Sequence, residues 1–511
     1  MKSKIFKGAF VLIIAGIIGK VLGAFYRIPL SNILGAEGIG LYQMIFPLFS
    51  LALIVSSSGV NATLSHLIAK ARAEKTGNIK NIFLKGLIFS LSLSLIFSLF
   101  FYIFAKKIAV LQGNILASSG YKIMIIALIF SSLLAPFRGY FQGYENMIPT
   151  AISQSLEQIF KVTLGIWFSY IFVGKGVEIG VVGAFLGISL AEIIAFLYLL
   201  IKFIIFKKTQ FENKQKIAFI GMNFRFTASF LIIPLILAFD SFVVINLLNI
   251  NFTEHFSTVM YGLQSGLVNS LINFPIIISV SISLALLPSL TFLISDKHLK
   301  EARNKLVEIF KMLWIIILPC IIFFIIFSPL IMKVLYRNVD NSFLEIASIL
   351  LKISAPQILF ISVLQISIAV FQSLGKEKTP IYILLICAII KIILTVLLVK
   401  NPNIHNYGVA LANFVFYALA SIISLIKIKK MLKFSLDFKT FIITTSFFIV
   451  LSISFYLINV FIQDIWAKLS LIVFSGLVCY LLPLALFKVL DISKFYKENL
   501  KRDKGENINK K

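Results

Sequence analysis

From Gly8 to about Leu490 the chain is a succession of fourteen long apolar segments separated by short polar ones. The first is typical: after Lys2, Lys4 and Lys7, residues 8–29 are interrupted only by Lys20 and Arg27. About 20 apolar residues span a bilayer core, and there every backbone N–H and C=O must be satisfied within the chain. Helices meet that demand. The expected fold class is therefore an all-α integral membrane protein with 14 transmembrane helices, at roughly 8–29, 39–62, 83–105, 120–142, 147–173, 181–206, 223–248, 260–294, 310–335, 344–374, 379–399, 405–427, 438–462 and 466–488. With 59% hydrophobic residues, 14% charged residues and a mean hydropathy of +0.99, an ordinary soluble or disordered chain is excluded. The loops are too short to fold as a soluble catalytic domain.

The formal net charge of +27 invites a nucleic-acid reading, but topology explains it better. If the N-terminus is cytoplasmic, the cytoplasmic stretches and their flanking helix ends carry about four times as many Lys and Arg as the outer ones. The expectation is a multi-pass cell-membrane protein with both termini cytoplasmic and no nucleic-acid partner. The basic tail, 491–511, suits anionic membrane lipid. Cys320, Cys387 and Cys479 lie inside apolar segments without disulfide or metal spacing. The four histidines are scattered, so neither a metal nor a cofactor is expected. The first apolar run lacks a small-residue cleavage site and reads as a retained anchor.

The chain repeats itself weakly. Residues 141–161, FQGYENMIPTAISQSLEQIFK, and 371–391, FQSLGKEKTPIYILLICAIIK, share an opening Phe-Gln, a short polar turn, a Pro at the next helix start and a Lys three turns on. Their offset is 230. Gly183-Ala184-Phe185-Leu186 and Gly408-Val409-Ala410-Leu411 match at an offset of 225. Segments 4–6 thus resemble segments 10–12. Six helices is an even number, so the repeats are parallel, a transporter plan with the substrate site between halves. The expected organisation is a six-helix half at 1–210, a second at 211–432, two further helices at 433–490 and the tail at 491–511. A stretch at 295–311, SDKHLKEARNKLVEIFK, reads as a surface helix capped by Ser295 or Asp296, with an apolar face of Leu299, Ala302, Leu306 and Ile309.

Ionisable residues at bilayer depth are costly and face an interior cavity or each other. Six are basic, Lys20, Arg27, Arg138, Lys161, Lys352 and Lys391; three are acidic, Glu157, Glu192 and Asp240. On the first segment Gly16, Lys20, Gly23 and Arg27 form one stripe. Arg27 lies near enough to the outer headgroups to snorkel; Lys20 is too deep. On the fifth, Gln154, Glu157, Lys161 and Gly165 form a second stripe, and Glu157 precedes Lys161 by four residues, the favourable direction for an ion pair. That pair is either a self-neutralised structural one or part of a binding site. Lys391, the repeat mate of Lys161, has no local partner and needs Asp240, another acid or an anionic substrate. Asp240 pairs with the first helix, or carries a proton or coupling ion. Arg138 reads as an interfacial anchor, Lys352 as an outer-leaflet snorkeller, and Glu192 as a satisfied polar group against the fifth helix. The excess of cations favours an anionic substrate such as a phosphate or diphosphate headgroup.

Two stretches resemble a known family. GKVLGAFYRIPLSNILGAEGIGLYQ, Gly19 to Gln43, and SSSGVNATLSHLIAK, Ser56 to Lys70, are similar to the N-terminal signature of the stage V sporulation protein B and polysaccharide-biosynthesis transporters. These belong to the multidrug/oligosaccharidyl-lipid/polysaccharide exporter superfamily. The turn RGYFQGYENMIPTAISQ, Arg138 to Gln154, resembles the same family. The resemblance implies 14 helices in a 6 + 6 + 2 plan. It also implies a flippase for undecaprenyl-diphosphate-linked sugars, such as lipid II, with cell-wall synthases as protein partners. In lipid II flippases of this superfamily an essential arginine lies near the outer part of the first helix, and a basic residue precedes Val-Leu-Gly. Here Arg27 and Lys20, before Val21-Leu22-Gly23, take those places. The family's arginine in the second helix has no counterpart in FPLFSLALIVSSSG, residues 46–59. The resemblance therefore does not single out lipid II among lipid-linked glycans.

Two other functions compete. A multidrug or cation antiporter of the same superfamily needs carboxylates and aromatics in its cavity, and Asp240 keeps that reading open. A membrane-embedded glycan polymerase or transferase needs an acidic cluster in a substantial outer loop, and these outer loops are short. No GxxxxGK[ST] motif occurs, so ATP is not expected to drive the chain directly. The site expected from the sequence is Arg27, Lys20, Lys161, Lys391 and Glu157 for substrate, with Asp240 for a coupling ion or proton.

Overall fold

The computed structural model describes residues 2–74, 78–206, 219–296, 298–433 and 438–486. The tail at 491–511, and residues 207–218 of the segment joining the expected halves, lie outside the described residues. The helices of the first part are α1 (Lys2–Leu53), α2 (Gly59–Glu74), α3 (Ile79–Leu111), α4 (Ser118–Gly143), α5 (Ile148–Val173) and α6 (Val177–Ile205). Those of the second are α7 (Phe219–Leu248), α8 (Glu254–Gly262), α9 (Asn269–Ser295), α10 (Leu299–Leu335), α11 (Asn341–Ser354), α12 (Gln357–Ser373), α13 (Lys378–Val399) and α14 (Tyr407–Leu432). α15 (Phe438–Phe461), α16 (Ile465–Ser475) and α17 (Leu482–Leu486) follow. π-helical turns at 54–58 and 263–268 join α1 to α2 and α8 to α9.

Among the described residues twelve helical runs are long and apolar enough to cross a membrane, or thirteen with the bent pair α11–α12 as one span. The first run, Ala15–Glu74, takes in the second expected segment and the first from Ala15 onward, with α1 helical from Lys2. The expected outer loop between them is helical instead. The only departure from helical backbone inside α1 is Gly35, at φ 68° and ψ −178°. That conformation suits a residue without a Cβ, and it lets two helices meet at a kink. The amphipathic stretch at 295–311 is corrected too. Ser295 ends α9, the residue before α10 is His298 with no side-chain cap, and Leu299–Leu335 runs on as one helix. Of the expected apolar face, Ala302, Leu306 and Ile309 are buried in the bundle core, whereas Leu299 is exposed.

The repeated sequence makes a repeated turn. After α4, Tyr144, Glu145 and Asn146 donate backbone bonds to Tyr140, Gln142 and Phe141; after α12, Leu374, Gly375 and Lys376 donate to Val370, Gln372 and Phe371. Every donor and acceptor is displaced by 230. Glu145 and Gly375 both take left-handed backbone, φ 59° and 65°. The next hairpins match as well. A Cβ on Gly183 would collide with the backbone at Phe168–Ser169, and one on Gly408 with Leu398–Val399. The glycines differ by 225 and the surfaces they touch by 230, because the second hairpin closes over a turn five residues shorter.

One end of the bundle is stitched across 2–206 and 219–432 by uncharged amides. Asn32 donates to the Leu335 carbonyl at 2.7 Å, and Asn338 to the Asn32 carbonyl at 2.7 Å. Gln43 donates to the Ser265 carbonyl, Gln112 to Ser241 Oγ and Asn114 to Thr258 Oγ1. Here α1 and α8 cross with their main chains in contact. A Cβ on Gly40 would lie 2.2 Å from the Thr258 carbonyl oxygen, and one on Gly262 2.3 Å from that of Ala36, as in small-residue membrane crossings. At the other end α7 packs on α2. α15 packs on α10, and Tyr480 of the π-helical turn before α17 donates to the Ile315 carbonyl at 3.0 Å.

Candidate functional site

A cavity of about 350 Å³ opens at the end away from the amide seam, lined by Ala15, Gly16, Gly19, Lys20, Arg138, Gln154, Glu157 and Gln158. Three helices build it: the first half of α1, the end of α4 and the start of α5. α1 approaches α5 because of its glycines. Gln158 lies against Gly19 and Gly23, where a Cβ would sit 3.2 and 3.8 Å away, whereas Gly16 faces open space. The tightest of these contacts is at Gly19, which lies beside the Gly16–Lys20–Gly23–Arg27 stripe rather than on it. α5 in turn is held by α6. A Cβ on Gly187 would lie 2.3 Å from Gly165 N, so these two backbones pack without intervening side chains.

The cavity's charges differ from the expected pairing. Glu157 does not pair with Lys161. Its Oε2 accepts from Arg138 Nη2 at 2.7 Å, and Arg138 Nε also donates to Ser153 Oγ at 3.0 Å. Arg138 is therefore a cavity residue and not an interfacial anchor. The planar guanidinium reaches two acceptors at once, which an i,i+4 ammonium on the same helix cannot match. Gln158 Nε2 donates to the second Glu157 oxygen at 3.0 Å. Lys161 instead stands over the Phe46 ring, 5.7 Å from its centroid. Its ammonium lies within the fields of Glu157, Glu192 and Arg27. Arg27, half-buried, extends the α1 stripe seven residues beyond Lys20, about 10 Å along the axis. Among the described residues Lys20, Arg27 and Lys161 have no carboxylate within ion-pair distance. Four cations thus surround this region, Lys20, Arg27, Lys161 and Arg138, with two carboxylates, Glu157 and Glu192.

The structure brings Arg27, Lys20, Lys161 and Glu157 into one region and leaves Lys391 out of it. Lys391 Nζ donates to Asp240 Oδ2 at 2.5 Å, with side chains only 3% and 10% exposed. Lys391 also lies over the Phe416 ring. Of the partners open to Asp240, the first helix is ruled out: α13 supplies the cation. Glu192 is not a satisfied group against α5. Its Oε1 accepts from Ser131 of α4 at 3.0 Å, and its buried Oε2 has no hydrogen-bond partner among the described residues. Sequence reasoning missed Arg138 and Gln158 as site residues. A signal existed for Arg138: the turn at 143–146 folds α4 back toward α5, so residues a similar distance either side of it, such as Arg138 and Ser153, come level.

A family model described as polysaccharide biosynthesis protein matches residues 5–294, and one described as MatE matches 234–397. The first covers more than half of the chain, which belongs to the polysaccharide biosynthesis protein family. Stage V sporulation protein B of Bacillus subtilis (strain 168) is 29% identical over 463 residues, 86% of each chain. Lipid II flippase MurJ of the same organism is 24% identical over 474 residues, 84% of this chain and 83% of that one. A solved structure of lipid II flippase MurJ in an inward closed conformation superimposes with a TM-score of 0.74 over 94% of this chain and 98% of that one, at 20% identity. An inward-facing multidrug resistance MATE family transporter of the MOP superfamily gives 0.69 over 81% and 94%, at 14% identity. The fold is that of MOP-superfamily transporters rather than that of an enzyme.

Proposed function

We propose that this chain is an alternating-access flippase for undecaprenyl-diphosphate-linked sugars, lipid II or a related lipid-linked glycan, serving cell-wall, spore-cortex or polysaccharide synthesis. The observation that carries the reading is the surplus of cations over carboxylates around the cavity of α1, α4 and α5. Lys20, Arg27 and Lys161 are unpaired and suited to a diphosphate, each charge-assisted contact contributing about 1.5–3 kcal/mol. The amides of Gln154 and Gln158 offer hydrogen bonds to hydroxyl groups beside them. An organic-cation antiporter fits less well: Glu157 and Asp240 are already held by Arg138 and Lys391.

The architecture that supports this reading is two parallel six-helix halves followed by two helices. Dividing the first run at Gly35 and counting α11–α12 as one span gives 14 crossings. The matched turns at 143–146 and 373–376 give the halves one orientation. With both termini cytoplasmic, as the Lys and Arg distribution favours, the cavity faces the cytoplasm and the amide seam closes the outer end. A diphosphate moving outward carries negative charge toward the positive side, favoured by about 2.3 kcal/mol per charge per 100 mV. Anionic lipid at the basic tail and cell-wall synthases are the remaining partners of this reading.

Reconstitution into proteoliposomes with defined fluorescent lipid-linked glycans tests it. The wild-type chain is expected to flip them, faster under an imposed inside-negative potential; Arg27→Ala abolishes flipping with expression intact, and Arg27→Lys restores part. An unaffected Arg27→Ala protein overturns the assignment.

A further inference from the structure

Glu192 is a buried carboxylate that the transport cycle above leaves unused. It lies on α6, 5% exposed, with one oxygen held by Ser131 and the other, Oε2, buried without a hydrogen-bond partner among the described residues. An ionised carboxylate with an unsolvated oxygen is unfavourable in an apolar interior, and a proton removes its charge.

The elements packed against α6 are α4, α5 and α1. The charges that reach Glu192 are Arg138 from α4, and Glu157 and Lys161 from α5. α1 supplies no second acid here: its one carboxylate, Glu37, sits at the amide seam beside His255. Tyr42 of α1 stacks on Phe185, two turns along α6. Two acids therefore compete for Arg138 and Lys161, and Glu157 holds Arg138. An anion entering the cavity draws further on both cations, which leaves Glu192 still less compensated.

We infer that Glu192 is a proton-binding site of this region and keeps its proton while an anion occupies the neighbouring cavity. The second clause rests on the anionic-substrate reading; the first does not. A proton shared in this way links occupancy to pH. Anion affinity rises as pH falls, by up to about tenfold per pH unit for one linked proton.

The test uses the full chain in lipid nanodiscs. Infrared difference spectra across about pH 5 to 9, without ligand, are expected to contain a protonated-carboxyl carbonyl band that Glu192→Gln removes. Ser131→Ala, which deletes the hydrogen bond to Oε1, shifts the same band and serves if the first variant fails to fold. Binding of inorganic pyrophosphate is then compared at several pH values. The probe's own titration is common to both proteins, so a steeper acid gain in wild type than in Glu192→Gln isolates the site. A band unaltered in Glu192→Gln and in Ser131→Ala overturns the proposal. Equal pyrophosphate slopes overturn the linkage. A band lost as expected, with no pyrophosphate bound by either protein, upholds the proton site and breaks the anionic-substrate reading instead.

Discussion

Lys161 and Lys391 occupy matched places after matched turns, yet they live in opposite environments. Lys161 is half-buried over Phe46, with no carboxylate at ion-pair distance among the described residues. Lys391 is closed off in a pair with Asp240, out of reach of solvent. The two regions share backbone geometry down to individual hydrogen bonds, so the fold did not dictate the difference. It comes from what stands opposite: a helix rich in Gly, Lys and Arg in one case, an aspartate on α7 in the other. One region keeps charge available for a ligand, while the other has consumed its charge internally.

The largest effect expected from breaking this contrast is on the closed pair. Lys391→Met leaves Asp240 buried and alone and should cost about 3–5 kcal/mol of stability, read as a lower unfolding temperature in detergent. Adding Asp240→Asn to Lys391→Met should recover most of that loss. A double variant as unstable as the single one would show that the pair is not what these residues contribute. Next comes the open region. Arg27→Ala should bring flipping to background, a loss of at least the roughly 10- to 150-fold that one charge-assisted contact is worth, with unfolding temperature little changed; a large stability loss there would erase the distinction between the two regions.

A smaller effect belongs to the seam between them. Asn32→Ala and Gln43→Ala each remove amide–carbonyl bonds worth about 0.5–1.5 kcal/mol net. Hydrogen–deuterium exchange over residues 30–40 and 255–266 should quicken severalfold, and unchanged exchange would mean that the seam does not hold the halves. The smallest effect lies in the turn between α13 and α14. Burial holds His405 below its ordinary value of 6.5, and its Nδ1 accepts the Asn406 N–H at 2.7 Å, which requires the neutral ring. Below that value the unfolded chain binds more protons than the folded one, so stability falls as pH drops toward the lowered native value and is unaffected above it. His405→Gln should flatten that acid slope, and an identical slope would remove His405 from the account.

Much of the fold was legible because hydropathy is a local signal. Each span announces itself within its own residues, and the Phe-Gln…Pro pattern marked both turns. Gly35 was not legible: a glycine between two apolar runs looks like a loop, yet the chain is helical on both sides of it. The site divides in the same way. The Lys20–Arg27 stripe follows from helical spacing alone. The partner of Glu157 did not, because the i,i+4 rule sees Lys161 and is blind to an arginine arriving from the neighbouring helix. The Asp240–Lys391 pair joins residues 151 positions apart; the sequence offered Asp240 as one partner for Lys391, but no local signal chose it over another acid or a substrate.

The crossing at Gly40 and Gly262 has a mechanical consequence. Main chain rests on main chain there, so a rotation about that point has few side-chain rotamers to reset. Such a contact behaves as a pivot bearing. It lies toward the sealed end, whereas the cavity lies at the far end of α1, and displacement grows with distance from the axis. A tilt too slight to strain the bearing therefore becomes a wide excursion where the ligand is held. A larger residue at either glycine should jam the bearing before it harms the cavity.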